Sequence, residues 1–295
     1  MSGEKLFDRV AIIGIGLIGS SLARVLRRDC PTTHITACAR RAETLAAVER
    51  LRIADATTDD PVAAVADADL VVLGTPLSAY AGIAAKIAPA LKPGAIVTDV
   101  GSVKEAAIRD VAPAIPAGVH FVPGHPVAGT EHSGPEAGFA EMFADRWCIL
   151  TPPPKTAPDA VAKIKALWEL ARMRVAIMPA EHHDKVLAVT SHLPHLIAYT
   201  IVGTATELEQ DLQSEVIAYS AGGFRDFTRI AASDPVMWRD IFLANNEAVL
   251  ELLQRFSEDL TALQRAIRRG DGATLHDWFT RTRAIRRSII EAKQA

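Results

Sequence analysis

The sequence lacks the features that mark several large classes of protein. Its 295 residues include only three cysteines, Cys30, Cys38 and Cys148, an odd number at spacings that match no metal-binding motif. Disulfide-stabilised secreted domains and zinc proteins depend on cysteine pairs or clusters, so neither class is expected. This cysteine usage indicates a reducing compartment, and we predict a cytoplasmic protein without a bound metal.

No segment has the composition of a membrane anchor or a targeting signal. Every apolar run is interrupted by a charged residue or a proline before the ~20 residues that a membrane-spanning helix needs. The first residues do not show a basic segment followed by an apolar one, so we expect no signal peptide. Internal repeats and low-complexity segments are also missing, which leaves an ordinary globular protein.

The chain also lacks a surplus of positive charge. Its formal net charge is -3 at pH 7, which gives no bulk attraction to nucleic acid or to an anionic membrane. Hydrophobic residues make up 49% of the sequence, enough for ordinary buried cores. At roughly 150 residues for each domain, the length suggests about two domains.

A glycine-rich segment follows the first predicted strand. The run from Arg9 to Ile15 has the continuous hydrophobicity of a strand in a buried parallel sheet. Gly14, Gly16 and Gly19 show the G-x-G-x-x-G spacing, and helical periodicity follows from Ser20 to Arg28. In this motif the glycines allow a tight turn, approach of the backbone to a pyrophosphate, and close packing of helix on strand. The strand–turn–helix context predicts a dinucleotide-binding site with the phosphates at the helix N-terminus.

The end of the second predicted strand bears on the choice of cofactor. NAD-selective sites usually place an acidic residue there to accept the ribose 2′-hydroxyl, but this chain has Ala39 followed by Arg40 and Arg41. Two guanidinium groups without a nearby carboxylate suit a 2′-phosphate. The alternative is that the arginines only form the solvated start of a helix. We predict that NADP is favoured over NAD.

Two further strands are predicted to end at the cofactor. Asp69–Gly74 and Ala95–Val100 are apolar runs of the same kind, and open α/β sheets bind ligands at the carboxyl ends of their strands. Thr75 and Pro76 follow the first run, where the chain would pass the ribose. Ser102 follows the second run, where it is placed either to N-cap a helix or to face the nicotinamide. The spacing to the next lysine does not match the Ser-x-x-Lys pattern of acyl-transfer enzymes, so a serine nucleophile is not predicted.

One histidine follows the last of these strands. We predict a strand from Val119 to Val122 that is stopped by Pro123 and Gly124, so that His125 lies just beyond a strand end. Imidazole accepts and releases protons near neutral pH at modest cost. A loop histidine bonded to the backbone is the simpler interpretation of His125 alone, but its place at the ligand edge of the sheet favours proton transfer.

The chain changes character near Pro179. Residues 1–178 contain the predicted strands and helices of an N-terminal Rossmann-like, doubly wound sheet in the α/β class. Residues 179–295 are almost wholly helical by pattern and are predicted to form an all-α domain. The adjacent residues Glu181 to Asp184 diverge around a helix and therefore do not form a zinc site.

Two segments of the helical part carry candidate ligand-binding residues. His192 and His195 share one helix face, and each fits either a core histidine or a pocket residue. Asp226 and Arg229 are spaced to pair along a helix, and an arginine held in this way suits a carboxylate ligand. A surface ion pair is the alternative. The glycines at 222 and 223 suggest a close approach of the backbone, which favours the ligand.

In combination these segments resemble the prephenate/arogenate (cyclohexadienyl) dehydrogenase family of tyrosine biosynthesis. The resemblance extends over roughly residues 9 to 260. Five motifs carry it, in the family's order: Gly14–Ser20, Asp99–Lys104, His125–Gly134, Ser191–His195 and Gly222–Asp240, with Asn245 just beyond.

The resemblance implies a mechanism and a set of site residues. His125 would be the base that accepts the proton of the ring 4-hydroxyl as hydride leaves carbon 4, with Ser102 holding that hydroxyl and the nicotinamide. Arg229 would bind a substrate carboxylate, and Trp238 would close a site, that of the partner subunit. The other implied pocket residues are His195, Thr130, Glu131, Gly222 and Asp226. The implied cofactor residues are Gly14, Gly16, Leu17, Ile18, Gly19, Arg40, Arg41, Thr75, Pro76 and Ser102.

The resemblance also implies a homodimer through the helical domain, and it leaves some questions open. Many family members have an acidic residue where Ala39 stands, so NAD and NADP both remain possible. Prephenate and arogenate differ only in a keto or amino group, between which the sequence does not choose. We expect no appended regulatory domain, so any feedback by tyrosine would act at the active site. The alternatives are another two-domain dehydrogenase of the 3-hydroxyacid type, or a non-catalytic module that senses NADP(H).

Overall fold

The computed structural model describes residues 6–207 and 222–291. The chain forms two compact units, residues 1–246 and residues 247–295. The domain division predicted at residues 178 and 179 lies inside the larger unit and stays a prediction.

Within the described residues, the larger unit is built on one eight-stranded sheet, which confirms the predicted α/β class. Its strands are β1 (Arg9–Ile13), β2 (His34–Cys38), β3 (Ala56–Thr58), β4 (Leu70–Leu73), β5 (Ile96–Asp99), β6 (His120–Pro126), β7 (Trp147–Leu150) and β8 (Arg174–Ile177). Their order across the sheet is β3-β2-β1-β4-β5-β6-β7-β8. Neighbouring strands are parallel except β6 and β7, which are antiparallel.

Helices cover both faces of this sheet. They are α1 (Leu17–Asp29), α2 (Ala42–Leu51), α3 (Pro61–Val65), α4 (Tyr80–Ile87), α5 (Lys104–Val111) and α6 (Pro158–Leu170). Alternate residues of β1 enter two separate cores, Val10 and Ile12 on one face and Ala11 and Ile13 on the other. Because both faces are covered, every residue of β4 and β5 is buried, which explains the continuous apolar runs in the sequence.

Strand β6 differs from the prediction. Pro123 and Gly124 do not stop it; the strand continues to Pro126 because it changes partner. Up to Pro123 it pairs in parallel with β5, and from Gly124 onward it pairs with the antiparallel β7. His125 therefore lies inside a strand, opposite Ile149, and its backbone is held more rigidly than that of a loop residue.

Two 3₁₀ turns, Pro135–Ala137 and Ala140–Phe143, lie between β6 and β7. One local prediction about a helix start is also corrected. Helix α5 begins at Lys104 with Val103 as its N-cap residue, so Ser102 does not cap it. A carboxylate from another part of the chain caps this helix instead.

The described residues of the larger unit after residue 179 are helical, as predicted. Helix α7 (Ala180–Leu187) leads into a π-helical turn, Ala188–His192, and then into α8 (Leu193–Thr206). Pro194 lies in the first turn of α8 and has no backbone N–H, so the regular hydrogen-bond ladder cannot continue through this point. Helices α9 (Gly222–Thr228) and α10 (Pro235–Ala244) follow, separated by a 3₁₀ turn.

One stretch of this helical part, Ala180–Ala205, is long and apolar enough to cross a membrane when judged by length and composition alone. An 18-residue window within it has a mean hydropathy of 1.4, and 22% of that window is buried. A core helix of a soluble protein passes the same test. Here His183, Asp184 and His192 are buried and hydrogen-bonded to other elements of the same unit.

The smaller unit consists, in its described residues, of two long helices. Helix α11 (Asn246–Arg269) ends at Gly270, whose φ of +65° belongs to the left-handed region that glycine favours. Asp271 then caps α12 (Gly272–Glu291) by accepting a hydrogen bond from the backbone N–H of Thr274 at 3.0 Å. Large apolar side chains are exposed along both helices: Leu250, Leu260, Ile267, Phe279 and Ile285.

Candidate active site

The glycine-rich turn has the shape that a dinucleotide pyrophosphate requires. Gly14 has a φ of +89°, and a Cβ there would lie 2.5 Å from the carbonyl carbon of Gly74. A Cβ on Gly19 would lie 2.8 Å from the Gly14 oxygen, so this glycine permits close packing of α1. At Gly16 an added Cβ would meet nothing within 4 Å, which leaves open space over the backbone for a ligand. The predicted steric roles of Gly14 and Gly19 agree with this geometry, and the approach of a pyrophosphate to Gly16 stays a prediction.

Other groups around this turn also fit a dinucleotide. Leu17 and Ile18 begin α1, where backbone N–H groups have no partner within the helix, and the first turn holds no acidic side chain. Thr75 follows β4, and its hydroxyl is buried without a hydrogen-bond partner among the described residues. A buried hydroxyl without a partner is costly unless a ligand or water satisfies it. The nearby Pro76 starts the turn that leads into α4.

The ribose end of this site carries exposed positive charge. Ala39 follows β2, and Arg40 and Arg41 are exposed at the start of α2. Neither guanidinium takes part in an ion pair within residues 6–207 and 222–291. Both side chains are therefore available to an anion that approaches the end of β2.

A chain of three hydrogen-bonded side chains ends at His125. The His125 side chain is only 7% exposed, and its Nδ1 lies 2.8 Å from Nε2 of His183. Nδ1 of His183 lies 2.7 Å from Oδ1 of Asp184. Burial, and then the charges of His183, Lys104 and His192, hold the pKa of His125 well below the usual 6.5. His125 is consequently a neutral imidazole at ordinary pH.

A buried ion pair lies beneath this histidine. The Lys104 ammonium pairs with Asp99, and it also donates a 2.7 Å hydrogen bond to the carbonyl oxygen of Gly124. The Asp99 carboxylate accepts hydrogen bonds from the backbone N–H groups of Gly101 at 2.8 Å and Gly124 at 3.2 Å. These contacts fix the two backbone segments that carry Ser102 and His125.

Asp184 joins the helical part to the sheet. One of its carboxylate oxygens accepts the backbone N–H of Lys104 at 2.8 Å, and the other accepts that of Glu105 at 2.9 Å. These are the first N–H groups of α5, so Asp184 supplies the cap that was one of the two alternatives for Ser102. Asn245 donates to the backbone oxygen of Asp184 at 2.9 Å and so holds α10 against α7.

His195 and Trp238 form an aromatic pair. The rings of His195 and Trp238 are stacked, with centroids 3.6 Å apart and an interplanar angle of 24°. Burial lowers the pKa of His195, and its Nδ1 lies 2.9 Å from the backbone oxygen of Ser191. Trp238 is 6% exposed and packs on His195 of its own chain. It is therefore largely covered within one chain, and its implied role at the partner's site stays a prediction.

The arginine expected to bind a carboxylate has a different partner from the one predicted. Arg229 pairs with Glu131 at 3.0 Å, not with Asp226. The reason is that α9 ends at Thr228, before Arg229, so the two residues do not share one regular helix. At Gly222 and Gly223 an added Cβ would meet nothing within 4 Å, so the predicted close approach of a ligand to this backbone stays a prediction. The pair with Glu131 nevertheless brings Arg229 to the segment that follows His125.

Sequence patterns missed several members of this site. His183 and Asp184 were considered only as metal ligands, and the described residues contain no group of side chains that could hold a metal. Five consecutive residues of α7, Glu181 to Lys185, are ionisable, so composition did not distinguish His183 and Asp184 from their exposed neighbours. His192 lies within the predicted motif; burial lowers its pKa to about 4, and its Nδ1 is 3.1 Å from the Asn245 amide.

Comparison with known proteins covers almost all of the chain. Residues 22–177 match the family model described as prephenate dehydrogenase, nucleotide-binding domain, and residues 179–281 match the model described as prephenate dehydrogenase, dimerization domain. The chain belongs to the prephenate dehydrogenase family. A curated relative, the cyclohexadienyl dehydrogenase of Zymomonas mobilis, is 44% identical over 284 residues, which cover 96% of this chain and 97% of the relative.

Solved structures of this family have the same fold. Prephenate dehydrogenase from Aquifex aeolicus, in complex with hydroxyphenyl propionate and NAD+, is 36% identical with a TM-score of 0.89, covering 96% of this chain and 98% of that one. Synechocystis arogenate dehydrogenase is 28% identical with a TM-score of 0.78, covering 95% and 99%. The family inferred from five sequence motifs is confirmed. As a member of the prephenate dehydrogenase family, the chain is an NAD(P)-binding oxidoreductase that decarboxylates prephenate or arogenate oxidatively in tyrosine biosynthesis.

Proposed function

We propose that His125 is the general base of this reaction. The observation that carries this role is the buried hydrogen bond between its Nδ1 and His183, which leaves Nε2 as the ring nitrogen open to a substrate. The lowered pKa keeps the imidazole neutral, and a neutral ring has a lone pair to accept a proton. The same edge of the sheet carries the glycine-rich turn, so base and cofactor site belong to one unit.

His125 holds the proton of the substrate hydroxyl only until the product forms. NAD(P)+ supplies the acceptor for the hydride that leaves carbon 4. His125 accepts the proton of the 4-hydroxyl as that carbon becomes a carbonyl carbon. The bond to the ring carboxylate then breaks, carbon dioxide leaves, and the electron pair aromatises the ring. The resulting phenolate oxygen takes one proton back, so no net proton is released and His125 returns to its neutral form.

The remaining site residues are proposed as substrate and cofactor contacts. Ser102 lies in the segment between β5 and α5 that the Asp99–Lys104 pair fixes, and we assign its hydroxyl to the 4-hydroxyl and the nicotinamide. Arg229 binds a carboxylate of the substrate. The other proposed pocket residues are His195, Trp238, Thr130, Glu131, Gly222 and Asp226. Gly14, Gly16, Leu17, Ile18, Gly19, Thr75 and Pro76 are proposed to hold the dinucleotide.

We expect the chain to use NADP more efficiently than NAD. The exposed Arg40 and Arg41 have no carboxylate partner among the described residues, and Ala39 offers no acceptor to a 2′-hydroxyl. The preference should be modest because these side chains are solvated and screened by salt. Steady-state kcat/KM measured with both cofactors, and with prephenate and arogenate in turn, tests the cofactor preference and the substrate together.

A triple variant changes the residues proposed to bind the ribose and leaves those proposed to bind the substrate unchanged. Ala39→Asp combined with Arg40→Gln and Arg41→Gln should reverse the cofactor preference, while the substrate KM stays unchanged. Arg52→Gln, at an exposed arginine beyond the end of α2, is the matched control and should leave the preference as it is. If the wild-type chain uses NAD as well as NADP or better, Arg40 and Arg41 do not select the cofactor.

We propose that the chain is a homodimer formed through its helices. The support is the row of exposed apolar side chains on α11 and α12, together with the family model for a dimerization domain that matches residues 179–281. Light scattering after gel filtration should give about twice the 31.6 kDa mass of one chain. Phe279→Asp should shift the population toward the monomer. A wild-type mass of one chain at micromolar concentration would contradict this proposal.

A further inference from the structure

The two hydrogen bonds that join Asp184, His183 and His125 each have a fixed donor and a fixed acceptor. We propose that His183 and Asp184 are positioning residues that hold His125 in the tautomer with a proton on Nδ1 and a lone pair on Nε2. This inference rests on the proposed role of His125 as the base. It adds two residues to the site that sequence patterns did not assign, and it explains why a histidine at this position acts as an acceptor.

The direction is set at Asp184. Its carboxylate already accepts two backbone N–H groups, those of Lys104 and Glu105 at the start of α5. A backbone N–H can only donate, so Asp184 acts as an acceptor in both contacts. The shared oxygen Oδ1 lies 2.7 Å from Nδ1 of His183. Nδ1 of His183 must therefore carry the proton in this hydrogen bond.

The tautomer of His183 then determines that of His125. A neutral imidazole protonated at Nδ1 has an unprotonated Nε2, which can only accept a hydrogen bond. This Nε2 lies 2.8 Å from Nδ1 of His125, with the two rings at 68° to each other. His125 therefore donates through Nδ1, and its remaining nitrogen, Nε2, is the acceptor offered to the substrate hydroxyl.

The charges around His125 fit a base that holds a proton only briefly. The cation formed on His125 faces His183 from α7, His192 from the π-helical turn, and Lys104 from α5, and Asp184 lies behind His183. The Lys104 charge is paired with the Asp99 carboxylate. The Asp184 carboxylate is hydrogen-bonded to His183, on the side away from His125. Asp184 is 1% exposed and offers no exit for a proton. No exit is needed, because the aromatised product takes the proton back from the imidazole of His125.

The direct test is a variant that exchanges donor and acceptor in the hydrogen bonds between residue 184, His183 and His125. In Asp184→Asn the amide oxygen in place of Oδ2 still accepts the backbone N–H of Glu105, and the amide NH₂ in place of Oδ1 donates to His183. The backbone N–H of Lys104 then loses its acceptor, so the cap of α5 is weakened in this variant. His183 would then be protonated on Nε2 and would donate to His125, which moves the His125 proton onto Nε2. We expect kcat to fall by about 10²–10⁴-fold, the range for loss of a general base, with the KM values for substrate and cofactor within about threefold of wild type.

A second pair of variants leaves the cap of α5 intact. In His183→Gln the side-chain amide can donate to Asp184 and accept from His125, so the direction is kept and activity should remain within about tenfold of wild type. His183→Leu fills a similar volume without either hydrogen bond and should lose activity to the same degree as Asp184→Asn. His182→Leu, at the exposed neighbouring histidine, is the matched control and should retain full activity.

Nitrogen NMR separates a tautomer effect from a merely structural one. In protein labelled with ¹⁵N-histidine, the His125 signals, assigned by their absence in His125→Asn, should show an unprotonated Nε2 in the wild type and a protonated Nε2 in Asp184→Asn. If His125→Asn is as active as wild type, the proposed base is wrong. If His125→Asn is impaired while His183→Leu and Asp184→Asn keep wild-type kcat, the base stands and the positioning role is overturned. An unprotonated Nδ1 on His125 in the wild type would also overturn it.

Discussion

Replacement of His125 by asparagine is expected to lower kcat by about 10²–10⁴-fold, the contribution usual for a positioned general base. Asparagine retains a polar side chain of similar length but has no nitrogen lone pair that can take the hydroxyl proton. The cofactor site lies on other elements of the sheet, so NADP should bind with unchanged affinity. Steady-state formation of NADPH and a separate titration of NADP binding measure the two quantities.

The pH profile of the wild type provides a second measurement of the same group. The pKa of His125 is lowered, so the ring keeps its lone pair at pH values below the usual 6.5 and loses it only when the pH falls through the lowered pKa. Activity should accordingly be constant above pH 6.5 and should decline on the acid side below that value. The acid limb of kcat/KM should vanish in His125→Asn.

His132 offers a matched control for this experiment. It is exposed in the segment that follows β6 and has the same side chain, so His132→Asn should retain wild-type kcat and the acid limb. The assignment of His125 as base would be abandoned if His125→Asn turned over as fast as His132→Asn. A midpoint above pH 6.5 would mean that a group other than the buried imidazole controls the limb.

The local parts of the fold could be predicted because their causes are local. The turn between β1 and α1 depends on the positive φ of Gly14 and on the close packing of Gly19 against the Gly14 oxygen, and both causes lie within a few residues of the chain. Continuous apolar runs similarly indicate strands that are covered on both faces, as β4 and β5 are. The end of β6 was predicted wrongly because its continuation depends on pairing with β7, which is antiparallel and more than 20 residues away.

The network around His125 depends on partners that are distant in sequence. The carboxylate that caps α5 comes from Asp184, 80 residues beyond Lys104, whereas a local pattern pointed to Ser102. Glu131 and Arg229 are 98 residues apart, and the nearer Asp226 was the partner that helical spacing suggested. Spacing rules describe neighbours along one helix or strand, so they identify the chemical types in a site better than the pairs they form.

Replacement of Arg229 by alanine is expected to raise the substrate KM tenfold to a hundredfold and to change kcat by less than about threefold. A carboxylate contact exists in both the ground state and the transition state, so its loss weakens binding without slowing the chemical step. Charge-assisted hydrogen bonds of this kind contribute ~1.5–3 kcal/mol, which corresponds to that range of KM. Initial rates over a series of substrate concentrations at saturating NADP measure both constants.

The exposed ion pair between Arg229 and Glu131 affects what we expect of the Arg229 variants. Arg229 is 59% exposed, so the pair itself contributes little to stability and Arg229→Ala should fold normally. Arg229→Lys keeps the charge but lacks the planar fork that binds a carboxylate through two donors, so its KM should lie between those of wild type and Arg229→Ala. Arg225→Ala, at an exposed arginine of α9, should leave KM unchanged. If the KM of Arg229→Ala is within twofold of wild type, the residue forms only a surface ion pair, and the substrate carboxylate is bound by another group.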